Sequence, residues 1–160
     1  MGSQRDLNRR NGGFHYQIYT STEKISGIKV IEKKPEYKTG RSDDPPIHSN
    51  SAKMYFGKDG ETGRVHTLRF YENRDSIMEI QWHQIGDEKP EGTVHYHLYY
   101  KKNGKIVRDG KERKMTTEMI KEYHPLILQA FKRNTKKGLG KIKLRYDFKE
   151  KPLKKRKGKP

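Results

Sequence analysis

Near the start, from Phe14, and again from Lys53 to Tyr100, the apolar residues recur mostly at every second position, the spacing of half-buried strands. Phe14, Tyr16 and Ile18 alternate with His15, Gln17 and Tyr19, and Ile25 to Ile31 is a second β-branched run. This pattern predicts a first hairpin that turns around Thr20 to Lys24. Lys33 to Ser51, with Pro35, Gly40, Pro45-Pro46 and Ser49-Asn50-Ser51, has no period and reads as a long loop. Regularity returns with Lys53 to Phe56, Arg64 to Tyr71, Ile77 to Ile85 and Thr93 to Tyr100, separated by polar, glycine-bearing or turn-rich segments. That spacing predicts a four-stranded antiparallel meander. Asn103-Gly104 then signals a tight hairpin that returns Lys105 to Arg108 against the last strand.

Beyond the hairpin the period lengthens. Met119, Ile120, Tyr123, Ile127 and Phe131 fall on one side of a helix running from Thr116 to Arg133, with Thr116 placed to cap it and Glu118 in its first turn. Pro125 has no amide proton and is expected to kink or split this helix. Ile142, Leu144, Tyr146 and Phe148 then alternate with Lys141, Lys143, Arg145 and Asp147, a strand with a largely basic outer face. The expected fold is α+β, mainly β: an antiparallel meander sheet with one C-terminal helix and basic tails. Residues 1–13 read as a flexible lead-in, 14–148 as a single domain, and 149–160 as a disordered basic tail.

The two-residue period also assigns side chains to faces. Met78, Ile80 and Trp82 form the apolar set of their strand, which leaves Glu79, Gln81 and His83 opposite. On the next strand Val94, Tyr96, Leu98 and Tyr100 take the core face, and His95, His97 and Tyr99 take the other, solvated one. Pairing Trp82 with Tyr96 and Ile80 with Leu98 sets His83 across from His95 and Gln81 across from His97. One strand back, Phe70 against Met78 and Leu68 against Ile80 set Arg69 against Glu79 and Thr67 against Gln81. Opposed Cβ atoms lie about 4.5–5.5 Å apart, so this register gathers three imidazoles into one patch. A slip of one residue would turn them into the core, which the apolar pattern resists.

Composition narrows the class of partner. Only 29% of the 160 residues are hydrophobic and 36% are charged, so the core is small and leans on ten Tyr, five Phe and one Trp. The formal net charge is +17, a field that calls for a polyanion, most economically nucleic acid. Residues 149–160 carry seven cations against Glu150, a net +6 that leaves +11 on the rest. No apolar run suits a membrane span, and no basic helix has a strong apolar stripe, so a membrane partner is not expected. With no cysteine, disulfides and thiolate metal sites are excluded. No signal peptide is recognisable, which fits a cytoplasmic protein or one delivered into a target cell.

Two chemistries could use the patch. His83, His95 and His97 could bind a divalent metal that activates water or stabilises a phosphodiester under attack, and three imidazoles suit zinc, manganese or nickel better than magnesium. Alternatively no cofactor is needed: one histidine takes a proton from a ribose 2′-hydroxyl and another protonates the leaving oxygen, a route restricted to RNA. In either case Arg69 and Glu79 would support the catalytic histidines. Lys141, Lys143, Arg145, Lys154, Lys155, Arg156 and Lys157 would hold phosphates. Tyr99, with Tyr19 and Tyr71, could stack bases. His48 and His15 stand in reserve.

The segment Arg64 to Tyr100, with its Glu79-x-Gln81-x-His83 run, glycine-bearing loop and closing His95-x-His97, resembles the small C-terminal effector modules of bacterial polymorphic toxins and phage-associated proteins. Those modules carry an acid-rich strand ending in His and a Pro-His-x-His run; here Gln81 replaces the second acid and Val94 the proline. The resemblance implies a nuclease-like effector cut from a larger protein and neutralised by an inhibitor or immunity partner in the producing cell. Two other readings stand beside it: a non-catalytic DNA- or RNA-binding protein of phage or mobile-element origin, and a basic interaction protein that occupies an acidic protein surface.

Overall fold

A computed structural model describes residues 19–34, 46, 48–49, 52–59, 62–84, 91–135 and 143–146. The expected strand at Phe14 to Ile18, the lead-in and the basic tail lie outside these residues. The described elements are β1 (Tyr19–Ile25), β2 (Ile28–Lys33), β3 (Met54–Lys58), β4 (Val65–Glu72), β5 (Asp75–Gln84), β6 (Glu91–Lys102), β7 (Lys105–Arg108), α1 (Thr117–Asn134) and β8 (Lys143–Arg145). The strands form one sheet in the order β1-β2-β3-β4-β5-β6-β7, with β8 paired in parallel to β6 at Gly92↔Leu144. β3 to β6 are the antiparallel meander that the alternation predicts. β2 meets β3 in parallel, at Val30↔Phe56 and Ile31↔Gly57.

Three hairpins turn on two residues that both have positive φ: Ser26-Gly27 (50° and 79°), Asn73-Arg74 (49° and 71°) and Asn103-Gly104 (53° and 77°). Positive φ at both positions matches the twist of the flanking strands. The first of these corrects the expected turn at Thr20 to Lys24, which lies within β1. That segment is polar because it runs along the sheet edge, whereas Ser26-Gly27 supplies the left-handed backbone a tight turn requires.

The helix begins where expected, with Thr116 Oγ1 accepting from the Met119 amide at 3.1 Å. It then runs as one element through Pro125 to Asn134, so Pro125 does not split it. Pro125 is exposed, so water can serve the carbonyl it leaves without a donor, while the opposite side is held by packing. Ile127, Ala130 and Phe131 are fully buried against Phe56, Leu68, Ile80, Trp82 and Val94. Asn134 fastens the helix end to β4: its Oδ1 accepts the Val65 amide at 2.9 Å and its Nδ2 donates to the Val65 carbonyl at 2.8 Å. Trp82 Nε1 donates to the same carbonyl at 2.9 Å.

The face away from α1 is covered too. Ile31, Tyr55 and Tyr71 form a second buried cluster with Tyr19 and Ala52 at its edge. Tyr71 donates its hydroxyl to the Pro46 carbonyl at 2.5 Å, so Pro46 lies over this end of the sheet.

Candidate functional site, a buried Arg-Glu-His network

Between β4 and β5 the register is the one the core pattern implies: Thr67↔Gln81, Leu68↔Ile80, Arg69↔Glu79 and Phe70↔Met78. Between β5 and β6 it differs by two residues. His83 faces Thr93, Gln81 faces His95, Glu79 faces His97, Ile80 faces Tyr96 and Trp82 faces Val94. A two-residue slip leaves every side chain on its expected face, so alternation alone cannot detect it. Packing decides the register. Trp82 lies 6.3 Å from Phe131, ring centre to ring centre, and Phe131 lies over Gly92, where an added Cβ would run into the ring and come 2.7 Å from the His83 carbonyl oxygen. Tyr96 beside Trp82 would crowd this corner; the slim Val94 fills it, fully buried.

The polar face expected to be solvated is mostly closed. Arg69 is 2% exposed, Glu79 1%, His95 3% and His97 2%. Glu79 is the hub. Its Oε1 accepts from Arg69 Nε at 3.1 Å, Arg69 Nη2 at 2.5 Å and Tyr99 Oη at 2.9 Å. Its Oε2 lies 3.0 Å from Arg108 Nε. Arg108 Nη2 also donates to Gln81 Oε1 at 2.8 Å, and the Arg69 guanidinium lies over the Tyr99 ring at 5.0 Å. Burial alone would raise the Glu79 carboxyl, but Arg69, then Arg108 and Tyr99, hold it below the ordinary carboxylate value. Tyr99 moves the other way: burial pushes its hydroxyl above the usual range, so it stays a donor.

The histidines continue the network toward the surface. His97 Nδ1 is 3.1 Å from the Asp109 carbonyl, which can only accept, so Nδ1 carries the proton. Its Nε2 then accepts from His95 Nε2–H at 3.1 Å. The bonding pattern assigns these two neutral tautomers. Burial is the main reason the His95 imidazole falls to about 4, and burial followed by the positive Arg108 lowers His97. His83 is exposed, and its ring stacks on His95 with centroids 5.5 Å apart and planes 26° from parallel.

The expected residues thus come together, but not as an open patch. Stacked rings present faces rather than lone pairs to each other, and among the described residues no group of three or more His, Cys, Asp or Glu is arranged to hold a metal. Tyr99, expected to stack bases, is buried with its hydroxyl on Glu79, and Tyr71 is buried as well. His48 is paired with Asp75 at 2.9 Å instead of reaching the cluster. Lys143 and Arg145 are exposed on β8; Lys141, Lys154, Lys155, Arg156 and Lys157 lie outside the described residues, as does His15. Arg108 was the residue missed. The Asn103-Gly104 turn pairs Lys102 with Lys105, and counting back from it sets Arg108 opposite Tyr99, so the signal was present.

The fold and site define a mainly β domain whose sheet carries an apolar core under one helix and a buried ionic and imidazole network on its other face. No protein-family model matches the chain, and no match was found among curated proteins or solved structures. No helix among the described residues is long and apolar enough to cross a membrane.

Proposed function

We propose that this domain binds nucleic acid through the phosphate backbone, with the β6–β7 hairpin as a principal contact. The observation that carries this reading is the hairpin's charge. Residues 99–108 contain Lys101, Lys102, Lys105 and Arg108, all exposed, and no acidic residue. Across the chain the formal charge is +17. Each lysine that neutralises a phosphate releases counterion, so affinity should fall steeply with salt. The test is fluorescence anisotropy of labelled DNA and RNA oligonucleotides titrated with the full chain across a salt series. Lys102→Glu/Lys105→Glu should weaken binding and flatten the log-log salt slope by about one per lysine lost. Salt-independent binding, or none, would sink the proposal.

Cleavage of the bound strand is a second reading, favoured by the row His83, His95 and His97 that leads from solvent to Glu79 beside the partly exposed Arg108. In this reading His83 is the group that meets substrate, and the buried pair positions it. Incubation with RNA and DNA, with and without EDTA, would decide the matter. Cleavage lost in His83→Ala supports it, and intact binding with no product under any condition rejects it.

A further inference from the structure

Beyond Tyr96, nothing among the described residues fully covers the apolar face of β6. Val94 is fully buried and Tyr96 packs at the rim of the core. The next two residues on that face, Leu98 and Tyr100, are 37% and 48% exposed. Across the hairpin Tyr100 faces Val107 and Lys102 faces Lys105, so all five side chains lie on one surface. An apolar strip of Leu98, Tyr100 and Val107 therefore ends in two lysines. Leaving a tyrosine and a leucine in water forgoes burial that the same alternation secures nearer the core. We propose that this strip is a platform for single-stranded nucleic acid, with an unpaired base stacked on Tyr100, its neighbour against Leu98, and the phosphates on the turn side of Tyr100 held by Lys102 and Lys105. This deepens the nucleic-acid reading above and rests on it.

Geometry favours a single strand over a duplex. Residues two apart on a strand are separated by about 6.4–6.8 Å, whereas bases in a duplex rise by about 3.4 Å per nucleotide. Bases seated on both Tyr100 and Leu98 must be splayed apart, which an unpaired strand allows and a stacked duplex resists. Every base has a π-face, so the platform tolerates sequence, and the lysines supply the charge that a groove for single strands uses.

The experiment compares a labelled single-stranded oligonucleotide with its duplex at one ionic strength, using the full chain and its Tyr100→Ala and Tyr100→Trp variants. Tyr100 is half exposed and belongs to neither buried cluster, so both variants should keep the wild-type urea midpoint. The wild type should prefer the single strand. Tyr100→Ala should weaken single-strand binding about 5- to 150-fold and leave duplex binding within about twofold, while Tyr100→Trp should retain affinity and lose indole fluorescence on binding. Equal affinity for both forms, equal losses in Tyr100→Ala, or indole fluorescence of Tyr100→Trp that binding leaves unquenched would overturn the platform while leaving nucleic-acid binding intact. A dimer that forms in the wild type and is lost in Tyr100→Ala would assign the strip to a second copy and overturn it as well. Absence of binding to any nucleic acid would instead remove the underlying reading.

Discussion

Acid should destabilise this domain before the buried Glu79 titrates. His95 is buried and neutral, with its imidazole pushed down to about 4 from an ordinary 6.5. In the unfolded chain the same ring takes up its proton near 6.5. Between these values the unfolded state binds more protons, so stability falls as pH falls, by about 1.4 kcal/mol per unit. The full window is worth about 3 kcal/mol, a large share of the roughly 5–15 kcal/mol that holds a typical domain together. His97, also lowered, acts in the same direction. Glu79 and Glu23 are held below their ordinary 4.5, so their contribution is present above that value and lost only at lower pH. The range from pH 6.5 down to 4.5 therefore belongs to His95 and His97 rather than to Glu79 or Glu23. Urea unfolding, followed by fluorescence of the buried Trp82, should show a stability loss of about 2–3 kcal/mol across this range. His95→Gln keeps a donor near Nε2 but cannot titrate, and should flatten the slope by about 1.4 kcal/mol per unit. A wild-type curve flat above pH 5, or a variant curve with the wild-type slope, would refute a buried neutral imidazole at this position.

Two further perturbations test the framework. Glu79→Leu should cost about 3–5 kcal/mol because it removes the buried carboxylate that neutralises the Arg69 guanidinium, and Arg69→Met/Glu79→Leu should recover much of that loss in urea unfolding. Equal losses in the single and double variants would show that Arg69 does not depend on Glu79. Asn134→Ala should cost about 1–3 kcal/mol by stranding the buried Val65 amide, and should speed hydrogen exchange at Val65 ahead of the rest of β4; unchanged exchange there would mean that Asn134 does not fasten α1 to β4.

Much of the fold was legible because it depends on local chemistry. Alternation identified β3 to β6 and the face of each side chain, Asn103-Gly104 announced its hairpin, and Thr116 with the 119-120-123-127-131 pattern set out α1. Arg69↔Glu79 followed from matching Phe70 to Met78. The site was legible in membership more than in form: Arg69, Glu79, Gln81, His83, His95 and His97 do share one face, but the register between β5 and β6 and the closure of that face were not readable.

The reason is the range over which each property is determined. A strand's period assigns a side chain to one face or the other, and it does so from neighbours along the chain. Whether that face is covered at a given point depends on what packs there from elsewhere: Phe131 over Gly92, Asp109 and Arg108 over His97 and Glu79, Pro46 over Tyr71. Tyr99 and Tyr100 make the distinction plain. Sequence assigned Tyr99 to the polar face and Tyr100 to the apolar one, both correctly. Only the tertiary structure decided that Tyr99 is the buried ring and Tyr100 the exposed one, because Arg69, Glu79 and Arg108 enclose the first while, among the described residues, the cover over the apolar face ends before the second.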